Sequence, residues 1–190
     1  SDTTYLLHGL LKEHARQPWP CTLAVAMIHD PAAVQQAHAL GVGGEAEFNL
    51  GGHCVGSGEP VRRRMRVLCC RQDARQQLFG GTLWQPLGDS ALLELDGVHI
   101  VINSIRQQVF GAQVFSEHGL DPTACSLLVV KSTNHFQAGF SFLASHIVLC
   151  DPPGPTGEDL SVYPWTRLRR PLWPLDALPL EERSRPRSPA

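Results

Sequence analysis

The segment ALLELDGVHIVINSI, residues 91–105, constrains the fold more than any other part of the chain. Asp96-Gly97 lies between two apolar runs. This dipeptide adopts the left-handed backbone that a two-residue hairpin turn requires. The chain therefore contains an antiparallel pair that turns at 96–97. The second strand of that pair, Val98–Ile105, is apolar on both faces. A strand with no polar face must be covered on both sides, so it is expected at the centre of a sheet.

Other stretches supply further strands. CTLAVAMI, residues 21–28, reads as a buried strand. GEAEFNLGG alternates, with Ala46, Phe48 and Leu50 on one face and Glu45, Glu47 and Asn49 on the other. VRRRMRVLCC alternates as well. Val61, Met65, Val67 and Cys69 share a face with Arg63, and Arg62, Arg64 and Arg66 form a solvated opposite face.

Helices open the chain. Asp2 is placed to cap a helix carrying Leu6, Leu7, Leu10 and Leu11. Asp30-Pro31 starts a second, which carries Val34, Ala37 and Leu40 and has Gly41 as its stop. In the last third, FGAQVFSEHG reads as a short helix closed by Gly119, and CSLLVVK as a strand. Ser132 or Thr133 would cap a helix with Phe136, Phe140 and Leu143 in register, and HIVLC would be the next strand. Strand, helix and strand so close together predict a parallel crossover. The fold class expected is α/β, or a mixed α+β arrangement: a layered domain with a mixed sheet flanked by helices. From Asp151 the chain is Pro-rich and expected to run extended over the surface, pinned by Trp165 and Trp173. One domain is expected over 1–178 and a disordered tail over 179–190.

The 190 residues suffice for one domain with a real core, and 43% hydrophobic against 18% charged residues is a globular balance. A formal charge of −2 argues against nucleic acid as a partner. No apolar run reaches membrane-spanning length, and no membrane association is expected. The opening Ser1-Asp2-Thr3-Thr4 has no Met and reads as the interior of a longer protein. None of the six cysteines is spaced Cys-x-x-Cys, so they read as buried free thiols in a reducing cytoplasm.

No HExxH, GxSxG or GxxxxGK[ST] motif occurs. His8, His14, His38 and His118 fall on helices, where facing solvent is the default. His99 reads as a core histidine with its hydrogen bonds met. His53 follows two glycines, which either make a turn or let the backbone approach something closely. Two polar clusters stand at strand ends: Arg106, Gln107 and Gln108 in NSIRQQVF, and Lys131 to His135 in KSTNH. Strand carboxyl ends are where open α/β sheets bind ligands, so both clusters can face one cleft. Plain helix capping by Ser132 and Thr133, with Lys131 solvated, is the alternative for KSTNH.

These residues also resemble a known family. DTTYLL, DPAAVQQAHALGVGGEAEFNLGGH, GVHIVINSIRQQVF, HGLDPTACSLLVVKSTNHFQAGF and RLRRPLWPLD follow, in order, the C-terminal domain of the microcystinase C (MlrC) family of zinc metallopeptidases. They cover most of residues 2–176. The stretch Arg64–Leu87 fits poorly. The resemblance implies a two-half enzyme that hydrolyses peptide amide bonds with a zinc-bound water. It places the zinc ligands in an N-terminal half, which would be this domain's partner, and no metal is expected in this domain. Arg106, Gln107, Lys131 and His135 are then the residues expected to line the peptide-like substrate's cleft, with His135 the candidate for a catalytic role. A different reading is a stand-alone, non-catalytic binding module with the same fold. A third has His53 and His135 meeting to bind a metal within this domain. Loss of a covering half would leave an apolar patch, so the isolated domain is expected to self-associate as a homo-oligomer.

Overall fold

The computed structural model describes residues 2–20, 22–154, 157 and 159–177. They fall in two units, Ser1–Pro155 and Thr156–Ala190. The first unit holds six strands: β1 (Leu23–His29), β2 (Glu45–Leu50), β3 (Val61–Gln77), β4 (Trp84–Leu95), β5 (Val98–Asn103) and β6 (Leu127–Val130). They form one sheet in the order β2-β3-β4-β5-β1-β6. The hairpin at 96–97 is present: Leu95 pairs with Val98, and Asp96 and Gly97 have φ of 51° and 83°. β2, β3, β4 and β5 run antiparallel in succession, whereas β1 is parallel to both β5 and β6.

The doubly apolar strands lie inside, as their sequences require. β1 sends Leu23, Val25 and Ile28 into one core and Ala24, Ala26 and Met27 into a second on the other face. β5 divides likewise, Ile100 and Ile102 against Val101. Helices α1 (Tyr5–Arg16) and α2 (Pro31–Leu40) supply Leu7, Val34 and Ala37 to the first core. The one-turn helices α3 (Gln113–Ser116) and α4 (Gln137–Phe140) belong to the second, with Val114, Phe115 and Phe140. This mixed sheet flanked by helices is the α/β fold expected. Asp30 caps α2, accepting the Ala33 amide at 3.0 Å, and Gly41 ends it at φ 75°.

Several local expectations are corrected. Asp2 does not cap α1; Thr4 is the capping position, and the Asp2 side chain is buried elsewhere. The strand beginning VRRRMRV continues to Gln77, and with β4 it makes a long hairpin. A bulge between Val67 and Cys69 shifts its phase by one residue. Cys69 therefore joins Leu68 in the second core rather than Val67 in the first. Arg63 is exposed although its neighbours Val61 and Met65 are buried.

The helix expected from Phe136 to Leu143 is a single turn, uncapped by Ser132 or Thr133. Gly139 explains the local geometry: a Cβ there would lie 2.2 Å from the Phe110 carbonyl oxygen, so the turn is pressed against that backbone. HIVLC forms no strand, and Ile147, Val148 and Leu149 are exposed. The parallel pairs are made by β1 with β5 and β6 instead. Cys54 and Cys150 are exposed and Cys69, Cys70 and Cys125 half-buried, so the buried-thiol reading fails for the described cysteines; all five are free. Cys21 and the tail expected to be disordered lie outside the described residues. In the second unit, Trp165 donates to the Leu160 carbonyl at 2.6 Å and packs 5.6 Å from the Tyr163 ring. Trp173 is exposed.

His118 is buried rather than solvent-facing. Its Nδ1 donates to the Val114 carbonyl at 3.0 Å, which leaves Nε2 to accept from Ser90 Oγ at 2.8 Å. His99 keeps a buried Nδ1 with no hydrogen-bond partner among the described residues. Burial pushes the His118 pKa down to about 4; the bond to Val114 opposes this and Arg71 adds to it. The neutral ring is thus the folded form. Its contribution is present above the ordinary value of 6.5 and is lost as pH falls from there to about 4. The difference is about 3 kcal/mol. Urea unfolding from pH 7.5 to 4 should show this loss, and His118→Gln, less stable at pH 7.5, should lack that part of the pH dependence.

Candidate functional site

Because β1, β5 and β6 are parallel, their carboxyl ends finish on the same edge of the sheet. Asp30 follows β1, Arg106 follows β5 and Lys131 follows β6. The loop after β2, Gly51 to Ser57, closes over them.

Two buried carboxylates hold this loop. Asp2 Oδ2 accepts the amides of His53 at 3.1 Å and Cys54 at 2.9 Å, and Oδ1 accepts Ser57 Oγ at 3.0 Å. Asp30 uses one oxygen for its helix and the other for the loop: Oδ2 accepts the Gly51 amide and His53 Nε2, both at 2.9 Å. The glycines before His53 serve close approach as well as turning. At Gly51, φ is 61° and a Cβ would sit 2.7 Å from the Asp2 carbonyl oxygen. At Gly52, φ is 69° and a Cβ would sit 2.6 Å from the Gly58 carbonyl oxygen. No other residue fits this path.

Arg106 is exposed and stands on Asp2, with Nη1 3.5 Å from Oδ1 and Nη2 3.5 Å from Cys54 Sγ. Burial alone would raise the Asp2 carboxyl, but the Cys54 and Ser57 hydrogen bonds outweigh it and hold the group well below the usual carboxylate range. Lys131 donates from Nζ to the Thr3 carbonyl at 2.6 Å. Burial pushes its pKa down to about 7, Asp2 pulling it up and Arg106 pushing it further down. His29, half-buried at the end of β1, is lowered by burial and then by Arg106.

A second group lies beside the first. Gln108 Oε1 accepts Ser132 Oγ at 3.1 Å and faces His135 Nδ1 at 3.2 Å. The His135 ring stacks on Phe110 and meets Phe79, from the β3–β4 hairpin, edge-on; both centroid distances are 5.3 Å. Ser132, expected as a cap, thus ties the two strand-end loops together. Gln107 is half-buried and makes no such bridge; its neighbour does.

Of the residues singled out in the sequence, Arg106 and Lys131 converge around Asp2, whereas His135 is held by Gln108, Phe110 and Phe79. His53 is held by Asp30, so the two histidines have separate partners. Among the described residues no group of three or more His, Cys, Asp or Glu side chains is disposed to hold a metal. A zinc site needs three or four such ligands, and the described residues do not bring that many together. Sequence reading missed Asp2 and His29 as site residues and saw only half of Asp30. The capping signal at Asp30-Pro31 accounted for one carboxylate oxygen and hid the second. Asp2 carried a weak hint, since Thr4 stands nearer the helix start.

A mixed α/β sheet with a polar cluster over the carboxyl ends of its parallel strands is the class of domain that fold and site define. The chain belongs to the MlrC C-terminus family, whose model matches residues 1–167. It is 27% identical over 154 residues to Microcystinase C of Sphingomonas sp, an alignment covering 80% of this chain and 29% of that protein. Its fold is similar to the crystal structure of a candidate metallopeptidase from Mesorhizobium sp. BNC1, with a TM-score of 0.77 and 22% identity over 94% of this chain and 35% of the other. The chain thus spans about a third of the length of these relatives.

Replacing Asp2 with Ala would strip the acceptor from two loop amides and Ser57. The cost should be about 3 kcal/mol, read as a lower melting temperature together with faster amide hydrogen exchange at 53–57. Lys131 and Lys12 are the only lysines. At pH 7.5 the Lys131 amine should react with an acylating ester faster than exposed Lys12, as peptide mapping after brief labelling would show.

Proposed function

We propose that this domain forms one wall of the substrate cleft in a zinc-dependent peptidase or amidohydrolase that acts on peptide amide bonds in the cytoplasm. The zinc belongs to an N-terminal half beyond this sequence, and that half is the domain's partner. The observation that carries the reading is the gathering of Arg106 and Lys131 at the carboxyl ends of two parallel strands, with Arg106 anchored on a buried aspartate. An anchored guanidinium binds a carboxylate or a developing oxyanion without first having to be ordered. The family membership and the names carried by the relatives support the same reaction class. Gln107, Lys131 and His135 complete the wall. His135 stands over Phe110 and Phe79, a surface suited to an apolar side chain of the substrate.

The exposed run Phe142, Ile147, Val148 and Leu149 is the patch that the other half would cover. The isolated domain should therefore associate in sedimentation as its concentration rises; a single monomer over a wide range would count against a covering half.

The decisive experiment uses the polypeptide that joins this domain to its metal-binding half. Arg106→Ala should lower kcat/KM for a peptide substrate on the order of 10²-fold and leave zinc content unchanged. Unaltered kcat/KM would remove Arg106 from the site. The domain alone, dialysed with and without added zinc, should hold almost none; one tightly bound zinc per chain would move the metal site into this domain.

A further inference from the structure

His53 is exposed, yet its ring is fixed. The buried Asp30 carboxylate already accepts the amides of Ala33 and Gly51. Towards the imidazole it can only accept, so Nε2 donates to Oδ2 at 2.9 Å. That places a proton on Nε2 permanently and leaves Nδ1 as the nitrogen that gains and loses one. The backbone of the same residue is held by Asp2, and Asp2 also holds Arg106. The backbone of this histidine and the anchored cation are thus held by one buried anion, Asp2, while the ring is oriented by a second, Asp30.

Amide cleavage, the reaction proposed for the polypeptide that carries both halves, needs both groups, and the role of His53 rests on that reading. Negative charge develops on the carbonyl oxygen, and the departing nitrogen is far too basic to leave without a proton. We propose that His53, as the imidazolium, gives its Nδ1 proton to the leaving amine. The C–N bond breaks and its electron pair stays on nitrogen, which takes that proton. His53 is left neutral, with Nε2–H still on Asp30, and regains its proton from the water consumed in hydrolysis. Asp30 is a positioning residue: it orients the ring through Nε2. The charged and titratable groups facing this histidine are Asp30 from the start of α2, Asp2 ahead of α1, Cys54 on the same loop and Arg106 after β5. Lys131, after β6, and His29, at the end of β1, lie next to these.

The test compares wild type with His53→Gln in the polypeptide that carries both halves. Glutamine keeps an N–H for Asp30 but cannot deliver a proton. The substrates are a peptide amide and the matching p-nitrophenyl ester, whose leaving group departs unprotonated. On the amide, kcat should fall on the order of 10²-fold. On the ester the change should stay within about threefold. Equal losses on both substrates would reduce His53 to a structural anchor of the loop and overturn the assignment, as would undiminished amide cleavage. Unchanged melting temperature confirms that the variant is folded. A wild type that cleaves neither substrate overturns the peptidase reading and this assignment with it. That outcome is distinct, because wild type itself is then silent.

Discussion

The structure depends on β1 lying between two parallel neighbours. A strand apolar on both faces has no stable place at an edge or against solvent, and here it pairs with β5 on one side and β6 on the other. Parallel neighbours require long connections, so the chain leaves the sheet three times at the same edge. Each exit must be polar, because backbone groups there have no ladder partner. The polar exits of β1, β5 and β6 then become neighbours, although they are separated by about half the chain in sequence. The core is what creates the site.

What turns this meeting of loops into a fixed geometry is a pair of buried carboxylates. A buried carboxylate is costly unless its oxygens are met by donors. Asp2 has two amides, a hydroxyl and a guanidinium around it; Asp30 has two amides and an imidazole. Each therefore imposes a single arrangement on its partners, including the exposed His53, Cys54 and Arg106. Gly51 and Gly52 are the counterpart in the backbone, since only their absence of side chains allows the loop to come this near.

Much of this was legible in the sequence, and the limits were physical. The hairpin at Asp96-Gly97, the central strands and the start of α2 depend on local turn and capping chemistry or on apolar periodicity, and they appear where expected. HIVLC looked like a strand but has no partner, because apolar composition does not specify a neighbour. The β3 bulge escaped notice for a related reason: a one-residue phase shift looks like imperfect alternation until a partner strand reveals the register. Strand-end position was enough to single out Arg106 and Lys131, which the fold brings together around Asp2. It could not find Asp2, whose importance depends on a loop 50 residues away, nor choose Gln108 over Gln107, a matter of which side chain turns inward.

The division of labour within Asp30 has a consequence for how this position tolerates change. As a helix cap alone, Asn or Ser would serve almost as well as Asp. The second oxygen removes that freedom. Asn would present an amide N–H to the Gly51 amide and to the imidazole, donor against donor, and Ser has no second acceptor on the same reach. The pressure to keep an acid there comes from the loop, while the helix would accept several substitutes. A drift that is neutral for α2 would loosen His53, so the position is held by its weaker-looking obligation.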